Sequence, residues 1–467
     1  MAATAQDDPR GASAALRRAR RRACVVGLLA LGAAAYAIVR ALGRTRLLGS
    51  AADVAVVAGL LGLFVAAALL AAWSAGGTRR LVVRRALLVV APPLALLALL
   101  ELPVLLTEWD WRRVVPRPGD DLFLRLKRTR NPWNRDDAEL IYTRPPGGTI
   151  AGSTYGDCVV WLGAVPDREY RYDLRYDGRG YRNRAALERA DVAVVGDSFV
   201  EAALLPDAEL FTERLSAALG KPVANLGVGG YGPQQELVVL RRHALPLEPR
   251  VVYWLFFEGN DLADAARFES DRAEMAALLD QKAGHFMRSL TASLVGLAGC
   301  LAAPRQQRDE AKARAQSGTL AIAGPDHGKR LYFPYPAAPL SAVDEQALAK
   351  VEGLLREAGA ATRAAGAELV VVLVPEKFRI YGDRCDYEAD ATAATWRTSD
   401  LPERMATFAA REGLALLDLA AALRAEAERG ELLYFVDDGH WNGAGHAVVA
   451  RELARDAAAR LAAQAAR

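Results

Sequence analysis

From Asp191 onward the chain alternates short apolar runs with stretches of helical spacing, and this rhythm constrains its fold more than any other feature. The runs at 191–195, 222–226, 250–257, 368–374 and 414–418 read as strands; those richest in β-branched residues suit strands covered on both faces. Between and after them, 207–219, 234–244, 342–365, 402–412, 419–429 and 443–463 carry helical spacing. Such alternation points to a parallel sheet with helices on both faces. The expectation is an α/β domain over 191–467 built on a five-stranded parallel sheet. One connection breaks the pattern. Residues 262–340 are too many for a loop and form an insertion, with a mostly apolar piece at 286–303 and a charged one at 305–314. A lid, a membrane-surface helix and a plain helical insertion all fit it.

The chain before this domain has a different character. Apolar spans lie at 24–39, 54–73 and 86–106, and the second has no charged residue over a length of about 30 Å as a helix. The third contains Pro92, Pro93 and Glu101, which membrane helices tolerate at such places. The expectation is a cytoplasmic N-terminus at 1–22 and three transmembrane helices within 23–106, against the rival of a buried helical core. Arg17, Arg18, Arg20, Arg21 and Arg22 precede the first span, and Arg79, Arg80, Arg84 and Arg85 separate the second from the third. The positive-inside rule then places everything after Leu106 outside the cytoplasm, as part of a multi-pass protein of the inner or plasma membrane. Reading the first span as a signal peptide cut after Ala35-Tyr36-Ala37 leaves that placement unchanged. Residues 107–190 read as an irregular extracytoplasmic approach segment. Trp109, Trp111 and Trp133 suit interfacial anchors there, while 170–176 alternates as a strand does before the turn signal Asp177-Gly178.

Charge and cysteine usage exclude some functions. The net charge is +3 with acids and bases well mixed, so nothing points to nucleic acid. No CxxC or Cys/His spacing suggests structural zinc, and no cofactor is expected. Cys158, Cys300 and Cys385 permit one disulfide without specifying its pairing.

Four loops, each beyond a strand, carry candidate chemistry. Gly196-Asp197-Ser198 follows the first strand, putting a serine at the start of a helix, where backbone N–H groups favour negative charge. Taken alone, Asp and Ser there are ordinary helix caps. Asn225–Gly232 follows the second strand and formally contains GxGxxG at Gly227, Gly229 and Gly232. A dinucleotide site would need that motif in the first βα turn, so close approach of a backbone N–H to a reacting oxygen is preferred. Gly259-Asn260-Asp261 follows the third strand and offers a side-chain amide donor. Asp437-Asp438-Gly439-His440 lies near the C-terminus, where a carboxylate three residues before a histidine can orient it as a general base. A metal site from Asp437, His440 and His446 lacks further ligands. A nucleophile, oxyanion donors and an Asp/His pair on one sheet edge make a complete acyl-transfer site.

At these residues the chain resembles the SGNH, or GDSL-type, hydrolase superfamily over roughly 191–461, in block order. The resemblance implies a flavodoxin-like three-layer fold, Ser198 as nucleophile, His440 as base and Asp437 as its orienter. It also implies an oxyanion hole from the N–H groups of Ser198 and Gly230 and the side chain of Asn260. Trp441 stands where proline often follows the histidine. The segments 373–381 and 177–183 are similar to the alginate O-acetyltransferase-like branch, although that branch places its Asp/His pair earlier in the chain.

The function expected is a membrane-anchored serine esterase or O-acyltransferase acting on acyl, in particular acetyl, esters of a cell-envelope polysaccharide. Its partners would be the lipid bilayer and the acylated glycan, and a transferase would need a membrane acyl-donor protein. Rivals are a lipid-directed lipase or lysophospholipase, favoured if 286–303 docks on a bilayer, and a non-catalytic glycan-binding assembly protein.

Overall fold

The computed structural model describes residues 134–280 and 310–466, together with Leu81, residues 99–104, Leu106, Trp111 and Leu290. The chain divides into one unit of Met1–Pro118 with Gln281–Ala302 and another of Gly119–Asp280 with Ala303–Arg467.

The second unit is organised by one parallel sheet. Its strands are β1 (Val192–Gly196), β2 (Val223–Gly227), β3 (Val251–Phe257), β4 (Glu368–Val374) and β5 (Ala415–Asp418), in the order β5-β4-β3-β1-β2. This is the doubly wound 2-1-3-4-5 order, whose chain reversal lies between β1 and β3. β1, β2 and β3 are buried throughout, as their apolar runs require. The connecting helices are α1 (Ser198–Glu201), α2 (Phe211–Leu219), α3 (Pro233–Val239), α4 (Asp261–Asp280), α5 (Ala342–Ala364), α6 (Lys377–Tyr381), α7 (Leu401–Glu412), α8 (Ala420–Glu428) and α9 (Gly443–Ala465).

Alternation along each strand divides the core in two. Ala193, Val195, Val252 and Trp254 face α3, α4, α5 and α7, while Val192, Val194, Val251 and Tyr253 face α2, α8 and α9. Each fully buried Val or Leu contributes about 1.5–3 kcal/mol relative to exposure, so a register slip in β1 would cost several such terms at once.

Residues 134–182 are more regular than an approach segment need be. Thr149–Thr154 pairs antiparallel with Tyr170–Arg175, and Arg135–Asp137 pairs with Ile141–Thr143. On the return from the 262–340 insertion, Ser317–Leu320 pairs with Arg330–Tyr332 and with Cys385–Asp386. Cys158 and Cys385 are free thiols, and Cys300 lies outside the described residues.

The expectation of three transmembrane helices, and of a multi-pass membrane protein with an extracytoplasmic domain, is corrected. Among the described residues no helix is long and apolar enough to cross a membrane. The first two apolar spans, Trp109 and Trp133 lie outside the described residues, and the third enters them only at 99–104 and Leu106. The polar groups there bond within the protein. The Glu101 carboxylate accepts the Leu290 N–H at 3.1 Å, and the Trp111 indole donates to the Leu100 carbonyl at 2.8 Å.

Candidate active site

The turn after β1 sets the position of Ser198. Asp197 caps α1 by accepting the Phe199 N–H at 2.9 Å, which leaves Ser198 as the first helical residue. The helix is only one turn long and ends at Ala202 in the left-handed region, with φ 47°. β2 presses against it. A Cβ on Gly227 would stand 2.4 Å from that of Val200, so glycine permits the close approach. Gly229 and Gly232 are likewise occupied in packing, against Glu201 and Asp264, rather than in framing a nucleotide cradle.

His440 reaches this turn from 242 residues away. Its Nε2 lies 2.8 Å from Ser198 Oγ, and its Nδ1 lies 2.6 Å from Asp438 Oδ1. Asp438, not Asp437, thus holds the imidazole. Asp437 is turned to the other side of the loop, where it accepts the Tyr170 hydroxyl at 2.6 Å and the Asp167 N–H at 2.9 Å. The two-residue spacing lets Asp438 Oδ1 accept the backbone N–H of His440 as well, at 2.9 Å, which fixes carboxylate and ring together.

The loop is gripped from two sides. Asp157, on the segment before the sheet, donates its N–H to Asp438 Oδ2 and accepts the Gly439 N–H at Oδ1, both at 2.9 Å. A Cβ on Gly156 would stand 2.0 Å from the Asp437 carbonyl oxygen, so these two stretches cross as tightly as backbones can. From α6, the buried Lys377 ammonium donates to the carbonyls of Phe435, Val436 and Asp438 at 2.6, 2.7 and 3.3 Å.

Burial and charge set the proton affinities. Burial alone would lower the His440 pKa, but the Asp438 carboxylate outweighs it and raises it to about 9. Burial opposes ionisation of Asp438, and the His440 charge and hydrogen bond hold its pKa below the usual value. Asp157 is pushed up to about 8 by burial and by the Asp438 charge. Asp157, Asp438 and His440 bring possible metal-ligand atoms within 4.8 Å of one another. Both imidazole nitrogens are engaged within the Ser198–His440–Asp438 relay, which accounts for this cluster without an ion. His446 belongs to the core: it is pushed down to about 3 by burial, and its Nδ1 accepts the Phe211 N–H at 3.0 Å.

The remaining predicted site residues lie on the same sheet edge. Gly230 has φ 86°, a conformation that favours glycine, and the preceding Gly229 would bring a Cβ to 3.5 Å from that of Ser198. Asn260 follows the end of β3, the neighbour of β1, with its side-chain oxygen buried and unpartnered. A small apolar cavity of ≈ 20 Å³ opens beside Ser198 and His440, lined among others by Ala202, Leu205, Phe435 and Trp441. Sequence reasoning missed Asp438, Asp157, Lys377 and the Arg144–Glu201 pair described below. Lys377 carried a signal: a lysine following a buried strand must either reach water or find several acceptors.

Residues 334–467 match the family described as ALGX: SGNH hydrolase-like domain, acetyltransferase AlgX. No curated protein matches the chain. Among solved structures, similar chains include LAE5, an alpha/beta hydrolase enzyme from the metagenome of Lake Arreo, Spain, at 16% identity and TM-score 0.32, covering 58% of this chain and 97% of that one. A catalytic mutant of an acetylxylan esterase from Geobacillus stearothermophilus is 12% identical at TM-score 0.30, covering 58% and 95%. A protein described as lipolytic, of the G-D-S-L family, from Desulfitobacterium hafniense is 12% identical at TM-score 0.30, covering 56% and 97%. The sheet order, and the family match over 334–467, the region that contains His440, make the chain similar to the SGNH hydrolase-like domain of the AlgX family.

Proposed function

We propose that this protein is a serine acyl-transfer enzyme, an esterase or O-acyltransferase acting on acetyl esters of a polysaccharide. The observation that carries the reading is the continuous relay from Ser198 Oγ through His440 to Asp438, at 2.8 and 2.6 Å. In this reading Ser198 attacks the ester carbonyl and passes its proton to His440 Nε2. Asp438 stabilises the imidazolium, and the developing oxyanion takes hydrogen bonds from the N–H groups of Ser198 and Gly230 and from the Asn260 amide. His440 then returns the proton to the leaving sugar oxygen. Water or a second sugar hydroxyl resolves the acetyl-enzyme by the reverse steps. The cavity beside Ser198, lined by apolar side chains such as Ala202, Leu205 and Phe435, supports an uncharged acyl group such as acetyl there. The related family's acetyltransferase description supports the same choice.

The test is acetate release from p-nitrophenyl acetate and from an acetylated polysaccharide, beside a series of longer p-nitrophenyl esters. Wild type should favour acetyl, and Ser198→Ala should lower turnover by at least about 10³-fold with an unchanged melting temperature. Full turnover in Ser198→Ala would assign the nucleophile elsewhere. A preference for octanoyl over acetyl would point to a lipid substrate instead.

A further inference from the structure

The Gly229 peptide is held on both sides by a buried cluster that lies outside the relay. Its N–H donates to Glu201 Oε2 at 2.6 Å, and its carbonyl accepts the Tyr142 hydroxyl at 2.8 Å and Arg144 Nη2 at 3.3 Å. Glu201 is in turn saturated: Arg144 bonds both its oxygens at 2.8 Å, and the Tyr176 hydroxyl adds a third bond at 2.7 Å. Arg144 and Glu201 are each only 1% exposed.

A buried ion pair is a poor source of stability, because desolvating two charges offsets most of their attraction. What a bidentate Arg–carboxylate pair supplies is fixed geometry. Here the geometry joins two parts of the site. Glu201 lies on the single helical turn that begins with Ser198, so the pair ties the nucleophile's turn to the Gly229–Gly230 loop. The peptide plane supplies a direction. In a trans peptide the C=O and the following N–H point to opposite sides. Drawing the Gly229 carbonyl toward Tyr142 and Arg144 therefore turns the Gly230 N–H away from them. That N–H donates to no backbone acceptor among the described residues, and Gly229 lines the cavity shared by Ser198 and His440.

We infer that Tyr142 and Arg144 are positioning residues for the oxyanion donor Gly230, acting through the Gly229 peptide and Glu201; this rests on the acyl-transfer reading above. The segment before the sheet then contributes to the transition state without touching substrate.

The experiment compares Tyr142→Phe, Arg144→Lys and Ser198→Ala with wild type on p-nitrophenyl acetate. Tyr142→Phe removes one hydroxyl and leaves the ion pair in place. Losing a whole oxyanion donor costs about 10²–10³ in kcat, so misdirecting one should lower kcat by about 3–10-fold in Tyr142→Phe and about 10–100-fold in Arg144→Lys. KM and the acid limb of the pH profile should not move. Inhibition by phenylboronic acid, which forms a tetrahedral adduct on serine, should weaken by the same factor as kcat. A merely structural role would instead lower the melting temperature while the folded fraction kept its kcat, and that result overturns the inference. Unchanged kcat in Tyr142→Phe overturns it as well, and this variant decides the matter alone if Arg144→Lys does not fold. Should Ser198→Ala retain turnover, the acyl-transfer reading fails and this inference falls with it.

Discussion

His440 sits between two carboxylates, and only one of them touches it. Asp438 accepts its Nδ1–H, while the Asp157 N–H donates to the other Asp438 oxygen and the Asp157 carboxylate accepts the N–H of Gly439 beside the ring. Buried against that negative charge, the imidazole has a raised pKa of about 9. It must be neutral to take the serine proton, so kcat/KM should fall as pH drops through that region, with an acid limb above pH 7. Asp438→Asn removes the charge and replaces one acceptor oxygen with an amide donor. A triad with its carboxylate so replaced loses about 10⁴ in kcat, and the acid limb should shift to lower pH. Asp437→Asn should cost less than about threefold, since its bonds go to Tyr170 and Asp167 rather than to the ring. Steady-state kinetics from pH 5 to 10 on both variants check this, and equal losses would return Asp437 to the relay. The error at this position has a plain physical source. In Asp437-Asp438-Gly439-His440 either carboxylate can reach the histidine, and the choice is made by Tyr170, distant in sequence, whose hydroxyl claims Asp437.

Among the elements, the five-residue α6 fastens the His440 loop. Lys377 holds three carbonyls of the His440 loop, and Tyr381 donates its hydroxyl to the Glu431 carbonyl while accepting the Leu433 N–H. Lys377→Met keeps the stem and removes every lysine donor, depriving the Phe435 and Asp438 carbonyls of theirs at about 1–3 kcal/mol each before relaxation, while the Val436 carbonyl still accepts the Tyr332 N–H. The expected outcome is about 2–4 kcal/mol of lost stability by denaturant titration, with a fall in kcat that exceeds the unfolded fraction. A stability loss with normal turnover in the folded fraction would show that the loop keeps its shape unaided. The five strands of the sheet were legible to within a residue or two at each end, and so were most of the helices between them, but not α4, which lies almost wholly inside the expected insertion, or the short α6. The hairpin partner Thr149–Thr154 was not: of its residues only Ile150 and Thr154 are buried, so it carries no alternating apolar signature. The candidate loops were legible as blocks, because glycine, asparagine and histidine at strand ends are unusual choices. Their fastenings were hidden, since Arg144, Asp157 and Lys377 look like solvated charges until the chain brings acceptors to them.

At the scale of the whole molecule, buried carboxyl groups couple stability to pH below about 8. Burial and the neighbouring Asp438 charge hold Asp157 up at about 8, and burial with the Glu258 charge does the same for Glu376. Both pKa values lie above those of an unfolded chain, so the stability these groups contribute is present at low pH and is lost as pH rises through about 8. The loss is about 1.4 kcal/mol per pH unit for each group between its unfolded and its folded pKa, and it levels off above the folded value. Melting temperature should therefore decline from about pH 5 to pH 8 and level off above that, and Asp157→Asn with Glu376→Gln should flatten the decline; an unchanged slope in the double variant would mean that both groups are already ionised below neutral pH. A different consequence follows from how far apart the joined residues lie in the chain. The Asp157–Gly439 bond spans 282 positions and the Ser198–His440 contact spans 242. Closing such distances is slow, because loop entropy must be overcome before the contact rewards it. During synthesis, a nascent chain that has already displayed its serine has neither base nor orienting carboxylate until some 240 residues later. On the proposed acyl-transfer reading, reactivity is withheld until the sheet has formed, and a stalled or truncated product should release no acetate from p-nitrophenyl acetate.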